Sequence, residues 1–423
     1  MSINPVVIIP GIGQSVLVVE DNNGNKIKNA WPVEIDEKAL LAEMKSSLMK
    51  MLLFRKDGGF SDKVADIVNG LTEVFSDEQK IRAVTVEKSV AEYSAEERKY
   101  IFSNVPVQEF AEKIGEENVY FFAYNFFGNA EKTAAELDRF ITSVKEKTGC
   151  EKVNLFVYSA GGAILKEYLK DYAVKSDCEK IVNFACAADG ASVVADIYEN
   201  KINISNAMSA LSSFTDNASV VSMAGMLPAD IIENVAEKSL AVIKKNILDN
   251  STTIRALIPG GENEAFSDAA VKLSADGMQF YQICGSGLNA PEIFESGNID
   301  SDGIVDTASA SLSGKFPETT WYFDGQHHIN AMYNDVAMSL AAKIFAGEDV
   351  SAYPFRNGSR NIRKLKNKLI PKAGKSLETS SGEKKAKLEE CLEIYKKILA
   401  ETVITDDENI KQLEKMIEET VKE

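Results

Sequence analysis

The sequence predicts an α/β fold with a mostly parallel sheet covered by helices. Three observations predict it: short runs rich in β-branched and aromatic residues, amphipathic stretches between them, and Gly or Pro near the ends of the runs. Val6 to Ile9 places four β-branched residues in succession before Pro10-Gly11, which reads as a buried strand entering a turn. Val119 to Tyr124 reads as a second strand. A helix follows from about Ala130 to Lys147, with Leu137, Ile141 and Val144 on one face and Gly149 as its stop. Next come strand Val153 to Val157, a sharp Ser-Ala-Gly-Gly turn, helix Ala163 to Tyr172 and strand Ile181 to Ala187. Strands Met278 to Cys284 and Thr320 to Phe323 resume the pattern, and helix Asn334 to Phe345 is expected to close the domain. Ligands of such sheets sit at the carboxyl ends of the strands.

Two long segments interrupt the alternation, at about 30–115 and 192–275. Both read as mostly helical, with Met44, Leu48, Met51 and Leu52 as an apolar stripe in the first and Met223, Met226, Leu227 and Pro228 in the second. Insertions of this length at strand ends are expected to form a helical cap or lid, although the same stripes also read as plain helical core. The domain expected is therefore 1–350. Residues 355–423 are expected to be a basic linker and a charged helical tail. Arg356 to Lys375 carries eight bases and no acid, and Glu383 to Lys397 and Asp407 to Lys422 read as two helices, the first with Leu388, Leu392, Ile394, Tyr395 and Leu399 as its seam.

Composition narrows the function. With 64 acids against 47 bases the net charge is −17, which repels phosphate backbones and argues against nucleic acid as a partner. The run Val6 to Ile9 is too short for a signal peptide or a span, and no later stretch approaches about 18 apolar residues. The five cysteines are widely spaced and never form Cys-x-x-Cys, which disfavours disulfides and zinc. A cytoplasmic protein without metal or cofactor is expected.

The local signal that carries chemistry is Tyr158-Ser159-Ala160-Gly161-Gly162 between a strand and a helix. A serine on such a turn presents its hydroxyl at a helix N-terminus, the nucleophile elbow of the α/β-hydrolase fold. The usual form is G-x-S-x-G, and here Val157 stands in place of the first glycine. A Gly-rich turn that binds phosphate, or nothing, is the competing reading. A hydroxyl needs a base, and the chain has two histidines, His327 and His328, adjacent to one another. One of the pair is expected to be structural. The acid comes between serine and histidine in chain order, which selects Asp302 in Ser301-Asp302-Gly303, although Asp-Gly is also a common turn. Asp306 is the nearest rival, and Asp324 lies too close to His328 in sequence. An oxyanion hole needs the amide after the serine, Ala160, and one from an early turn, for which Ile12 in Pro10 to Ser15 is the candidate. Gly11-x-Gly13 is a poor dinucleotide fingerprint, since position 16 is Val16.

Together these pieces resemble the lecithin:cholesterol acyltransferase and lysosomal phospholipase A2 family. Val7-Ile8-Ile9-Pro10-Gly11-Ile12-Gly13 is similar to its strand and oxyanion segment, Tyr124-Asn125-Phe126-Phe127 to its Tyr-Asp-Trp-Arg segment, and Tyr158 to Gly162 to its elbow. Cys284 to Pro291 looks like its glycine-rich strand exit, Ser301-Asp302-Gly303-Ile304-Val305 like its acid motif and His328-Ile329-Asn330 like its histidine segment. The likeness spans roughly 4–345, with gaps at both insertions. Asn125 and Phe126 depart from it, the secreted members' signal peptide and cysteines are missing, and the tail has no counterpart. The resemblance implies acyl-ester chemistry on lipids, with Ser159, Asp302 and His328 as triad and Ile12 and Ala160 as oxyanion donors.

The expected function is thus a serine esterase, lipase or acyltransferase acting on a small acyl ester, with lipid as one substrate class. The alternative is a silent relative that keeps the pocket to bind a lipid or protein, the reading that Val157 favours. The basic run 356–375 adds an expected contact with an anionic membrane or another chain, set against a solvated linker that balances the acidic body.

Overall fold

The computed structural model describes residues 3–21, 23–33, 45, 47, 49, 51, 56–84, 87–203, 206, 228–260, 266–405 and 407–422. Their strands are β1 (Val6–Ile9), β2 (Leu17–Glu20), β3 (Lys26–Trp31), β4 (Ile81–Ala83), β5 (Val119–Phe121), β6 (Val153–Tyr158), β7 (Cys178–Phe184), β8 (Gln279–Ser286), β9 (Leu288–Asn289), β10 (Asp300–Ser301), β11 (Thr320–Asp324) and β12 (Arg356–Gly358). Seven of these make one sheet in the order β12-β11-β8-β7-β6-β1-β5, with every pairing parallel.

Strands buried on both faces are apolar throughout rather than alternating, which is why β1 reads as an unbroken run. Its Val7 and Ile9 enter one core with helices Ala130–Thr148 and Gly161–Tyr172, while Val6 and Ile8 enter the other with helices Gln108–Ile114 and Asp335–Ala346. Helix Ala130–Thr148 starts where the Asn129 side chain accepts from the Lys132 amide and ends at Gly149 in the left-handed region. This is the α/β-hydrolase arrangement. The chain leaves β1 toward β5 on one side and leaves β6, its other neighbour, toward β7 on the opposite side. A crevice therefore opens at the carboxyl ends of β1 and β6.

Several elements differ from expectation. β5 ends at Phe121, not Tyr124, since the Tyr124 amide bonds to the Ser15 hydroxyl instead of a strand. β7 ends at Phe184, because Ala185 turns to a φ of 44°. The segment 30–115 is not simply a helical insertion. β2 pairs with β3 and β4 in a small antiparallel sheet, and helix Gln108–Ile114 lies on the main sheet, with Phe110 against Phe156. Met51 packs with Phe60 and Ile231, so described parts of the two insertions join each other. Helices Phe60–Thr72 and Ala229–Ile243 are further tied by the Lys238–Asp62 ion pair. Met44, Leu48, Leu52, Met223, Met226 and Leu227 lie outside the described residues.

The C-terminal boundary also moves. Arg356–Gly358, expected in a linker, is β12 and completes the edge of the main sheet beside β11. Helices Ile370–Thr379, Gly382–Leu399 and Glu408–Lys422 share a separate core that includes Leu365, Leu388, Cys391, Leu413 and Ile417. That seam centres on Leu388, Cys391 and Ile398, which leaves Leu399 exposed instead of in the seam.

Candidate active site

Ser159 follows β6 directly with a φ of 54°, a left-handed conformation that a non-glycine residue adopts only under local strain. The surroundings show what sustains it. A Cβ on Gly161 would lie 2.8 Å from the Ile9 carbonyl oxygen, and one on Gly162 would lie 2.8 Å from the Ala187 carbonyl oxygen. A Cβ on Gly11 would lie 2.8 Å from Cβ of Ser159. The glycines that the close approach requires are therefore 11, 161 and 162. Val157 is buried in the sheet core, in register with Ile9 and Asn183, and the turn forms with a branched side chain there.

Asp302 follows β10, which pairs antiparallel with β9 just beyond the end of β8. Its Oδ1 accepts from the amides of Val305 at 2.8 Å and Ile304 at 3.1 Å, and its carbonyl accepts from the His328 amide at 2.9 Å. Oδ2 lies 2.7 Å from Nδ1 of His328, and both side chains are buried. A carboxylate that only accepts makes Nδ1 the donor and leaves Nε2 free to accept. Nε2 is 2.8 Å from Oγ of Ser159. Gly285 allows the crossing, since a Cβ there would lie 2.5 Å from Cβ of Asp302.

The other candidates have different tasks. Asp306 accepts from the amide and hydroxyl of Ser192, at 3.0 and 2.6 Å. Burial holds its carboxyl above the ordinary value. Asp324 accepts from the Ser286 hydroxyl and pairs with Arg356. His327 accepts the Ile329 amide at the start of the turn that carries His328. Of the adjacent pair, it is His328 that reaches both Ser159 and Asp302.

The oxyanion candidates flank the serine. Ile12 lines the same cavity as Ser159 and His328, and Ala160 opens the helix behind the serine. Among the described residues, the N–H groups of Ile12 and Ala160 have no protein acceptor. The turn bearing Ile12 is braced on three sides. The Tyr124 hydroxyl donates to the Pro10 carbonyl at 2.8 Å, the Gly11 amide to Oε1 of Gln14 at 2.8 Å, and Nε1 of Trp31 to the Gly13 carbonyl at 2.7 Å.

Sequence reasoning missed Tyr158. Its hydroxyl donates to the His328 carbonyl at 2.8 Å, and its ring stacks on the imidazole with centroids 5.4 Å apart and planes 13° apart. Burial pushes the phenol far above its ordinary pKa, which keeps it a donor. The available signal was period-2 alternation along β6, which sends Tyr158 to the core face opposite Val157. The cavity over Ser159 measures about 420 Å³ and has Ile304, Ile329, Met332 and Pro106 among its apolar walls. Of the described residues in the two insertions, only Pro106 lines it. No described helix is long and apolar enough to cross a membrane.

No protein-family model and no curated protein matches the chain, the family its motifs resemble included. Solved structures to which it is similar include the Bacillus licheniformis lipase BlEst2 in mature form, at 12% identity over 62% of this chain and 89% of that one, with a TM-score of 0.32. The phospholipase PlaB from Legionella pneumophila matches at 13% identity over 54% of this chain and 44% of its own, with a TM-score of 0.31. The Tle4-Tli4 complex matches at 12% over 82% and 99%, with a TM-score of 0.34. Likenesses this distant do not bear on the chemistry, which rests on the geometry.

Proposed function

We propose that this chain is a serine hydrolase of acyl esters, with Ser159 as nucleophile, His328 as general base and then acid, and Asp302 as the group that orients the imidazole. The observation that carries the reading is the pair of contacts at 2.8 and 2.7 Å that links the strained Ser159 through His328 to a buried carboxylate. As Oγ attacks the ester carbonyl, its proton passes to Nε2 and the carbonyl π electrons move to oxygen. The Ile12 and Ala160 amides receive that oxyanion. Collapse breaks the ester C–O bond, and the imidazolium returns the proton to the departing alkoxide, leaving an acyl-Ser159 ester. Water, deprotonated by His328, repeats the sequence and frees the acid. An alcohol in place of water makes the same centre an acyltransferase. The apolar walls of the cavity suit an acyl chain, and lipid esters, which the motif resemblance implies, are the finer reading.

A fluorophosphonate probe is expected to label Ser159 in the native protein and to leave Ser159→Ala unlabelled. Ser159→Ala should lower kcat on a short acyl ester by about 10⁴-fold or more at unchanged fold. Folded wild-type protein that neither reacts with the probe nor turns over a panel of short and long esters would overturn the reading in favour of a silent binding relative.

A further inference from the structure

The tail contributes to the cavity. Arg363, from the run after β12, lines the same hollow as Ser159 and His328. It is held from both sides along the chain. Three residues before it, Arg360 is buried, with its amide donating to Oε1 of Gln326 at 3.0 Å and its guanidinium against Asp335 and Glu401. Ile362 and Leu365 are anchored in the C-terminal core. The Arg363 guanidinium lies over the Tyr333 ring at 5.3 Å from the centroid, and Tyr333 is itself a wall of the cavity. Stacking holds the plane of a guanidinium while leaving its edge N–H groups free to bind.

Two further facts concern charge. Arg82, Arg98, Arg356 and Arg360 each pair with a carboxylate, whereas Arg363, like Arg139 and Arg255, has no acidic partner among the described residues. The imidazole aside, Arg363 is also the one charged side chain among the described cavity walls, in a chain whose net charge is −17. An exposed cation stacked at the edge of a hollow whose other walls include Pro106, Ile304, Ile329 and Met332 fits a ligand that joins an apolar part to an oxyanion.

We infer that the cavity selects acyl esters bearing a second, anionic group, a phosphate or a carboxylate, and that Arg363 is the residue that recognises it. The kinetic part of this rests on the reading of Ser159 as nucleophile. The binding part does not. Arg363 acts on the non-reacting end of the substrate, so its removal should raise KM for anionic esters and leave kcat nearly unmoved.

The test uses the full chain and three esters of one acyl length: one neutral, one ending in a carboxylate and one ending in a phosphate. Arg363→Gln is expected to lower kcat/KM by about tenfold or more for the charged pair and by less than about twofold for the neutral ester. Arg363→Lys should recover part of the loss, and the wild-type preference should weaken as salt rises. The ratio of the two charged esters in the wild type tells whether phosphate or carboxylate is favoured. Equal losses on all three esters, or no loss on the charged pair, would overturn the inference. Calorimetry of hexyl phosphate and of hexanoate against hexanol, on Ser159→Ala and on Ser159→Ala with Arg363→Gln, reads the preference without turnover. An anion preference that Arg363→Gln abolishes sustains the inference even if no ester is hydrolysed, and absence of any preference sinks it even if esters are.

Discussion

At the scale of single residues, the proposed mechanism divides the site into groups that react and groups that hold them. Asp302→Asn should lower kcat by about 10⁴-fold, since an amide can offer its N–H to Nδ1 and so stabilise the wrong tautomer. Tyr158 has a positioning role, because its contacts are with the backbone and ring of His328 and not with the reacting atoms. Tyr158→Phe keeps the ring and loses one buried hydrogen bond, a loss of about 1 kcal/mol, so kcat should fall several-fold with KM unchanged. Tyr158→Leu removes the stack as well and should lower kcat and the fluorophosphonate labelling rate further, in parallel. Unchanged labelling in both variants would return Tyr158 to a purely structural role. Of these residues, Ser159, Asp302 and His328 were legible in sequence, because each needs a particular functional group in a particular chain order. Tyr158 was not, because what it does depends on which loop lies above it.

At the scale of elements, the elbow depends on contacts between β6, β1 and the chain after β7. Gly162→Ala would drive a Cβ to 2.8 Å from both the Ala187 carbonyl oxygen and the Cys186 sulfur, of which the first is backbone and cannot swing away. Overpacking of this kind costs about 1–3 kcal/mol, which urea unfolding should register. Val157 had counted against the elbow in sequence terms, because the usual pattern places glycine there. In this chain the tight approaches fall at positions 11, 161 and 162 instead. Long amphipathic helices such as Ala130–Thr148 were legible almost to the residue. The short strands β2, β3 and β4 were not, since three to six residues carry little periodicity and the β2–β4 pairing joins positions more than 60 apart.

At the scale of the whole molecule, the C-terminal region is bound to the main sheet through β12 and does not trail from it. Of the eight bases in 356–375, Arg356, Arg360, Lys364 and Lys366 pair with acids of the chain itself, namely Asp324, Asp335, Glu414 and Glu109 among others. Deleting 355–423 removes β12 and bares the edge of β11, so the truncated protein should be markedly less stable and less soluble than the full chain, as yield and unfolding would show. The joint between the two parts is also sensitive to pH. Burial raises the Asp335 carboxyl to about 6, against the opposing pull of Arg360. With the folded value above the unfolded 3.8, the folded state binds the extra proton, so this group's contribution is present at low pH and lost as pH rises through about 6. The stability difference between Asp335→Asn and wild type should therefore shift in the variant's favour as pH rises from about 4 to 7.

What the sequence determined by itself was the α/β class, the chain order of serine, acid and histidine, and the buried character of the central strands. Each of these follows from local periodicity or from the chemistry of one side chain. What only the tertiary structure decided was which of two neighbouring histidines and three aspartates meet, where the glycines are indispensable, and that the basic tail supplies an edge strand and a cavity wall. Those outcomes depend on distances between segments far apart in the chain, and such distances are set by how the sheet is ordered and packed, which no local pattern of residues encodes.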